Sequence, residues 1–322
     1  MLKRIMFCGL VGCFGLNGTA LAEKHSCRKP DVGSFVTLGT NAGPVANNPR
    51  RGQPANYLTY QDTHVLVDVG DGATEALGKV GLVPAAISAI MISHLHSDHT
   101  GGLFAFLHRR YQTEIYAPLT IYGPAGIEAM VEGLIAGIRP MAENSDFAAN
   151  ASPDPASGIT VVELGNGDQF ELDAIEVTVA TNTHYVVTDP ADDLEQSLSF
   201  RFDLPERSIV YTGDTGPSDQ VEQLAAGADL LFSEVMDPDA TLAIVRQTAP
   251  DLPEAALEHL REHFTKQHLT PTEAGLLAER AGVRRLVLTH VGVPDSELNK
   301  ARWEVDEAYS GPFNFANDFD TH

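Results

Sequence analysis

The most constraining stretch of this 322-residue chain is His94-Leu95-His96-Ser97-Asp98-His99. Four metal-competent side chains fall within six residues, directly after the short apolar run Ala89–Ser93 and ahead of a helical pattern. In an extended segment, residues two apart point the same way, so His94 and His96 share a face. Asp98 and His99 fall where the chain turns into the helix, and Gly101-Gly102 permit tight backbone geometry there. Such a turn aims two imidazoles at one ion and a carboxylate plus an imidazole at a second. Imidazole and carboxylate donors at this density suit Zn2+, two per chain, with Mn2+ or Fe2+ as alternatives. A histidine-rich surface loop would not need a buried strand before it.

Around this segment the hydrophobic pattern alternates between periods of two and of about 3.6. Strands are expected over Ser34–Thr40, Ala55–Tyr60, His64–Val69 and Ala89–Ser93. Helices are expected over Ala73–Lys79, Thr100–Arg110 and Gly126–Ile138, the second with Leu103, Phe104, Phe106 and Leu107 facing inward. The segment Arg139–Gly158, rich in Pro and Asn, reads as a long loop, either a substrate wall or a surface insertion. Strands resume over Thr160–Leu164, Ile175–Thr181, Ser197–Asp203, Ser208–Thr212 and Leu286–Thr289, with helices near Ser218–Ala225, Ala255–His263 and Thr270–Ala281. Thr270-Pro271-Thr272-Glu273 carries a helix-start signature. Clusters of strands separated by helices point to an α/β domain with mixed sheets flanked by helices.

The N-terminus reads as a secretory signal peptide over residues 1–22. Lys3 and Arg4 precede an apolar run from Ile5 to Leu16, and Ala20-Leu21-Ala22 fits the cleavage rule. A periplasmic or secreted location follows, with lipoprotein anchoring at Cys13 as a minor alternative, and residues 23–322 form one domain. Cleavage removes Cys8 and Cys13 and leaves Cys27, so neither an internal disulfide nor a cysteine-rich metal site is expected. No apolar run in the mature chain is long enough to span a membrane. The formal net charge is −23, and removing Lys3 and Arg4 without any acid leaves −25. That field repels nucleic acid at long range.

Further ligands are expected at strand ends in the second half: His184, Asp214 in Thr212-Gly213-Asp214, and His290 in Leu288-Thr289-His290. Together with Asp68 in Leu66-Val67-Asp68-Val69-Gly70, and with His268, this ordered set resembles the metallo-β-lactamase superfamily. It is most similar to the branch holding ribonuclease Z and the zinc arylsulfatases. The resemblance implies a four-layer αββα sandwich in a single domain. It implies that His94, His96 and His184 hold one metal, that Asp98, His99 and His290 hold the other, and that Asp214 bridges them. By the same likeness Asp68 orients a ligand, His268 faces the scissile bond, and Glu234 supports His268. One departure stands out: Ser233 precedes Glu234 where ribonuclease Z usually has histidine.

The expected activity is that of a metal-dependent hydrolase, with a metal-bridging hydroxide attacking a small ester (phosphodiester, sulfate ester or lactone). Asp98 would direct the nucleophile, and His268 with Glu234 would serve proton transfer. The alternatives are a β-lactamase, a ribonuclease Z-like nuclease, and a non-catalytic metal-binding protein on the same fold. The partner expected is a small-molecule ester rather than nucleic acid, and a homodimer is left open. His64, His108, His259 and His263 read as surface or satisfied histidines, and Arg50 and Arg51 as solvated loop charges.

Overall fold

In the computed structural model, residues 32–43, 48–144, 153–185 and 196–322 are described. Residues 1–22, where a leader is expected, the three cysteines and residues 145–152 lie outside them. The first sheet runs in the order of the chain: β1 (Ser34–Gly39), β2 (Ala55–Tyr60), β3 (Thr63–Val69), β4 (Ala89–Met91), β5 (Leu119–Gly123) and β6 (Ile159–Glu163). Its first three strands pair antiparallel and the rest parallel. Helices α1 (Ala73–Lys79), α2 (Ser97–Thr100), α3 (Leu103–Gln112) and α4 (Ile127–Asn144) lie between these strands in sequence.

The second sheet holds β7 (Gln169–Leu172), β8 (Ile175–Thr181), β9 (Leu198–Leu204), β10 (Arg207–Tyr211), β11 (Leu230–Met236), β12 (Leu286–Gly292) and β13 (Phe313–Phe315), again in chain order. Its helices are α5 (Asp219–Leu224), α6 (Pro238–Thr248), α7 (Glu254–Lys266), α8 (Pro271–Ala281) and α9 (Leu298–Ala308). Among the described residues no helix is long and apolar enough to cross a membrane.

The period of two along each strand sorts side chains into three apolar layers. Val65, Val67, Met91, Phe200, Phe202 and Phe232 fill the space between the sheets. Leu66 and Ile90 face outward onto Leu103, Phe106 and Leu107 of α3 and Ile135 of α4. Leu231, Leu286 and Leu288 face the opposite way, onto Leu277 of α8 and Val305 of α9. Helix, sheet, sheet and helix are thus the four layers expected from the sequence.

Two interruptions of this period build the site. The β2–β3 register slips so that Asp68 is an extra residue, and its φ is +59°. Leu66 faces outward and Val67 inward, yet Val69 faces outward again, one step out of phase. The β11–β12 register slips at His290, whose φ is +43°. Leu288 and Val291 consequently share the outer layer although three residues apart. Left-handed backbone at a non-glycine is costly, and such bulges re-aim a side chain out of the pleat. At the same rim the two sheets touch: Leu198 N–H donates to the Ser93 carbonyl at 2.8 Å, and Val291 N–H to that of Thr40 at 2.7 Å.

Several expectations need correction. Helix α4 continues through Pro140 to Asn144, so the segment expected to loop from Arg139 begins as helix. A proline in the last turns removes one backbone bond but leaves the preceding helix intact. Phe104 is 38% exposed and does not face the core; its ring lies against Gly137 of α4. Strand β11 escaped the pattern because all seven of its residues are buried, which erases alternation. Strands β5, β7 and β13 and helices α6 and α9 were likewise not marked by the sequence pattern. The helix-start signature at Thr270 is realised: Glu273 N–H donates to Thr270 Oγ1 and Thr270 N–H to Glu273 Oε2.

Candidate metal centre

The strand ends and bulges converge on one cluster, buried except at His96. His94 and His96 leave the end of β4, Asp98 and His99 sit on α2, His184 follows β8, Asp214 follows β10, and His290 stands on the β12 bulge. His96 Nδ1 lies 3.1 Å from both His94 Nε2 and His184 Nε2. Beside this trio, Asp98 Oδ2 lies 3.4 Å from His99 Nε2 and 3.4 Å from His290 Nε2. Asp214 spans both sets. Its Oδ1 is 3.3 Å from His99 Nε2, and its Oδ2 is 3.2 Å from His290 Nε2, 3.8 Å from His94 Nε2 and 3.9 Å from His184 Nε2.

These spacings fit ions. Two donors about 2.0–2.1 Å from one tetrahedral zinc lie about 3.3–3.4 Å apart. Within each set the ligand atoms lie within 4.8 Å of one another. His99 Nε2 and Asp214 Oδ1, both buried, face each other at 3.3 Å without hydrogen-bond geometry, and a cation between them would give each a better partner. Gly43 keeps the approach open, since a Cβ there would sit 2.1 Å from the Asp98 carboxylate.

The supports are as defined as the donors. Asp68 is fully buried and accepts from His99 Nδ1 at 2.7 Å, Ser93 N at 2.7 Å, Ser93 Oγ at 2.8 Å and the Tyr211 hydroxyl at 2.7 Å. That network turns His99 Nε2 to the cluster. His184 Nδ1 donates to the Gln267 carbonyl at 3.1 Å and so presents Nε2. His268 Nδ1 is hydrogen-bonded to Glu234 Oε2 at 2.8 Å, and Thr215 N–H donates to Glu234 Oε1 at 2.5 Å. A nitrogen of His268 lies within 4.8 Å of the ligand atoms of His184 and Asp214.

A family model described as the β-lactamase superfamily domain matches residues 63–291. The chain belongs to the metallo-β-lactamase superfamily. It is 31% identical over 294 residues to ribonuclease Z of Mycobacterium bovis, a match that covers 88% of this chain and 95% of the relative. Ribonuclease Z of Mycobacterium avium is 30% identical over 263 residues, covering 79% and 85%. Among solved structures, the metallo-β-lactamase-fold protein YhfI from Bacillus subtilis superposes with a TM-score of 0.62 at 21% identity, covering 90% of this chain and 98% of that one. The short form of human tRNase Z gives 0.61 at 23%, also covering 90% and 98%. These structural likenesses concern the fold. With the family and the donor cluster together, the chain is a metal-dependent hydrolase.

Electrostatics divides the site of this metallo-β-lactamase-fold hydrolase. Burial lowers the pKa of His94 and His96, and that of His184 to about 3, so the trio is neutral at neutral pH. Burial also opposes charge on His99, but Asp214 and Asp68 outweigh it and hold its pKa well above the usual value. Burial would raise Asp98 and Asp214 as well, yet contacts with His290 and His99 keep both carboxylates below their usual range. Burial, followed by the charge of Asp214, pushes Glu234 well up, while burial pushes His268 down. That dyad therefore holds one proton between its members rather than separating charge.

Every residue assigned from the sequence thus reaches the cluster or its supports. The departure at Ser233 lies on the face of β11 shared with Leu231 and Val235, opposite the Glu234 side chain, and its hydroxyl donates to the Glu234 backbone carbonyl at 2.9 Å rather than to the carboxyl–imidazole pair. Two neighbours were missed. Tyr185 lies 5.2 Å from His96, centroid to centroid. His263, read from the sequence as a satisfied helical histidine, lies 5.0 Å from His268. Its spacing of five residues before His268 was the available signal. His64 bonds Tyr57 and Thr59, and the His108 ring lies tilted against Phe104 at 5.5 Å. Arg51 is half-buried rather than solvated: it donates to Thr40 Oγ1 at 2.7 Å and to the Ala316 carbonyl at 2.6 Å. Arg50 pairs with Asp295 at 2.7 Å on the surface.

Proposed function

We propose that the chain hydrolyses phosphodiester bonds in RNA, in the manner of ribonuclease Z, and that the ions are zinc. The carrying observation is the Glu234–His268 pair, which sets a proton-transfer group within 4.8 Å of ligand atoms of His184 and Asp214. The identity to curated ribonuclease Z chains over most of the sequence supports the same reading against a small ester. His94, His96, His184 and Asp214 would hold one ion, and Asp98, His99, His290 and Asp214 the other. Bound there, the ions supply positive charge for the phosphate oxygens and lower the pKa of water. Asp98 orients the attacking water through its carboxylate. With Glu234 protonated and donating to Nδ1, neutral His268 carries its own proton on Nε2 and delivers it to the departing alcohol oxygen, while Glu234 passes its proton to Nδ1.

A small phosphodiester is the second reading, favoured by the net charge of −23. Metal-loaded protein assayed on a 3′-extended RNA hairpin, a small phosphodiester, a sulfate ester, a lactone and a β-lactam decides between them. Turnover of the RNA is expected; turnover confined to the sulfate ester, lactone or β-lactam would sink the proposal. Export through the leader ending at Ala22 is proposed on sequence alone, and N-terminal sequencing of the exported protein should find Glu23 first.

A further inference from the structure

The rings around His184 continue beyond the ligands. Tyr185 lies 5.1 Å from His184, centroid to centroid, and His263 lies 5.6 Å from it. Phe264 lies 5.5 Å from His263 and 6.3 Å from His268. Tyr185, His263 and Phe264 are half-buried, and none belongs to the trio or the quartet. They gather at His96, the least buried donor of the trio, and at His268.

Core packing does not account for this arrangement. His263 and Phe264 lie in the last turns of α7, and α6 and α7 each bury a single side chain, Leu242 and Leu257. Neither leucine belongs to any of the three apolar layers. The helix pair is instead tied by Arg246–Glu254 at 3.2 Å and Arg261–Asp239 at 3.0 Å, while Lys266 pairs with Glu262 at 3.3 Å. What fixes His263 is the site itself: its Nδ1 is hydrogen-bonded to Gln267 Oε1, and the Gln267 carbonyl accepts from His184.

Charge supplies the second argument. The cations of the helix pair are engaged by its own acids, in a chain of net charge −23. A nucleic acid reaching this rim meets aromatic faces rather than free cations. Single strands are held in that way, by bases stacked on Tyr, Phe and His rings.

We propose that Tyr185, His263 and Phe264 form a rim that stacks a nucleobase flanking the scissile phosphate. This rests on the phosphodiester reading above and names its substrate class: an unpaired nucleotide at the cleaved bond. Thymidine 5′-(4-nitrophenyl phosphate) and methyl 4-nitrophenyl phosphate share a leaving group and differ by the nucleoside. One stacked base is worth about five- to 150-fold in affinity.

Metal-loaded wild type should favour the nucleoside ester about tenfold in kcat/KM, with the difference in KM. In Tyr185→Ala and His263→Ala that ratio should fall toward one, and Tyr185→Phe and His263→Phe should keep it. A ratio tolerates partial misfolding, which lowers both rates together. A ratio near one in wild type, or one unchanged in both alanine variants, overturns the rim. Failure to hydrolyse both esters and the RNA hairpin is a different result and sinks the phosphodiester reading. Calorimetry with thymidine 5′-monophosphate then still decides: a Kd about tenfold weaker in the alanine variants supports the rim, and equal Kd values overturn it.

Discussion

The trio His94, His96 and His184 and the quartet Asp98, His99, Asp214 and His290 lie side by side, yet they solve burial in opposite ways. The trio excludes charge: its imidazoles are pressed toward neutrality, His184 to about 3. The quartet balances charge: two carboxylates stay ionised because His99 and His290 face them, and His99 is held protonated by Asp214 and Asp68. The trio is therefore ready for a cation at neutral pH, whereas the quartet must first release a proton. Asp214 reaches each set, and its charge would damp the repulsion between two bound ions.

The largest test removes that shared group. Asp214→Ala should lower metal content from about two ions per chain to below one, read by elemental analysis, and should abolish turnover. Full metal and full activity would break the comparison at its root. Next, His268→Ala should lower kcat about 10²- to 10⁴-fold with metal content unchanged, separating proton transfer from metal holding.

Asp68→Asn comes third, because among the donors Asp68 touches His99 directly and reaches His94 only through the Ser93 hydroxyl. Affinity for the quartet's ion should weaken about 10–100-fold while the trio's affinity holds, measured by competitive chelation. Equal weakening of both would show that the two sets are not independent.

The smallest effect is a proton count. His99 has its pKa raised, so at neutral pH the ion-free chain holds a proton there that binding must expel. His184, lowered to about 3, holds none. Loading the quartet should release about one proton and the trio about none, resolved by calorimetry in buffers of different ionisation enthalpy. Affinity at the quartet should accordingly rise with pH until the His99 pKa is passed, while the trio stays level across neutral pH.

Legibility in the sequence followed locality. The His94–His99 segment could be read because its donors are neighbours on one strand end and one turn. Glu234 and His268 have no such signature; only their order within a family pattern marked them. His263 escaped because a histidine in a helix is ordinarily a surface residue, and its meaning depends on α7 being turned to the site rather than to the core. The stop expected at Arg139 is not made: α4 runs on through Pro140 to Asn144, although a proline inside a helix forgoes one backbone bond. The αββα layering was most legible in strands such as β8, where buried and exposed residues alternate, whereas β11, buried at all seven positions, carries no alternation.

The bulges at Asp68 and His290 carry a consequence for how this protein tolerates change. A strand has a reading frame, and each bulge is a built-in frameshift. Point substitutions at Val69 or Val291 alter volume alone, but deleting one residue upstream in either strand would restore the frame. Leu288 and Val291 would then point to opposite sides, and the imidazole of His290 would turn from the Asp98 carboxylate toward the helices. Length in these two strands is thus as much a part of the chemistry as the identity of the donors.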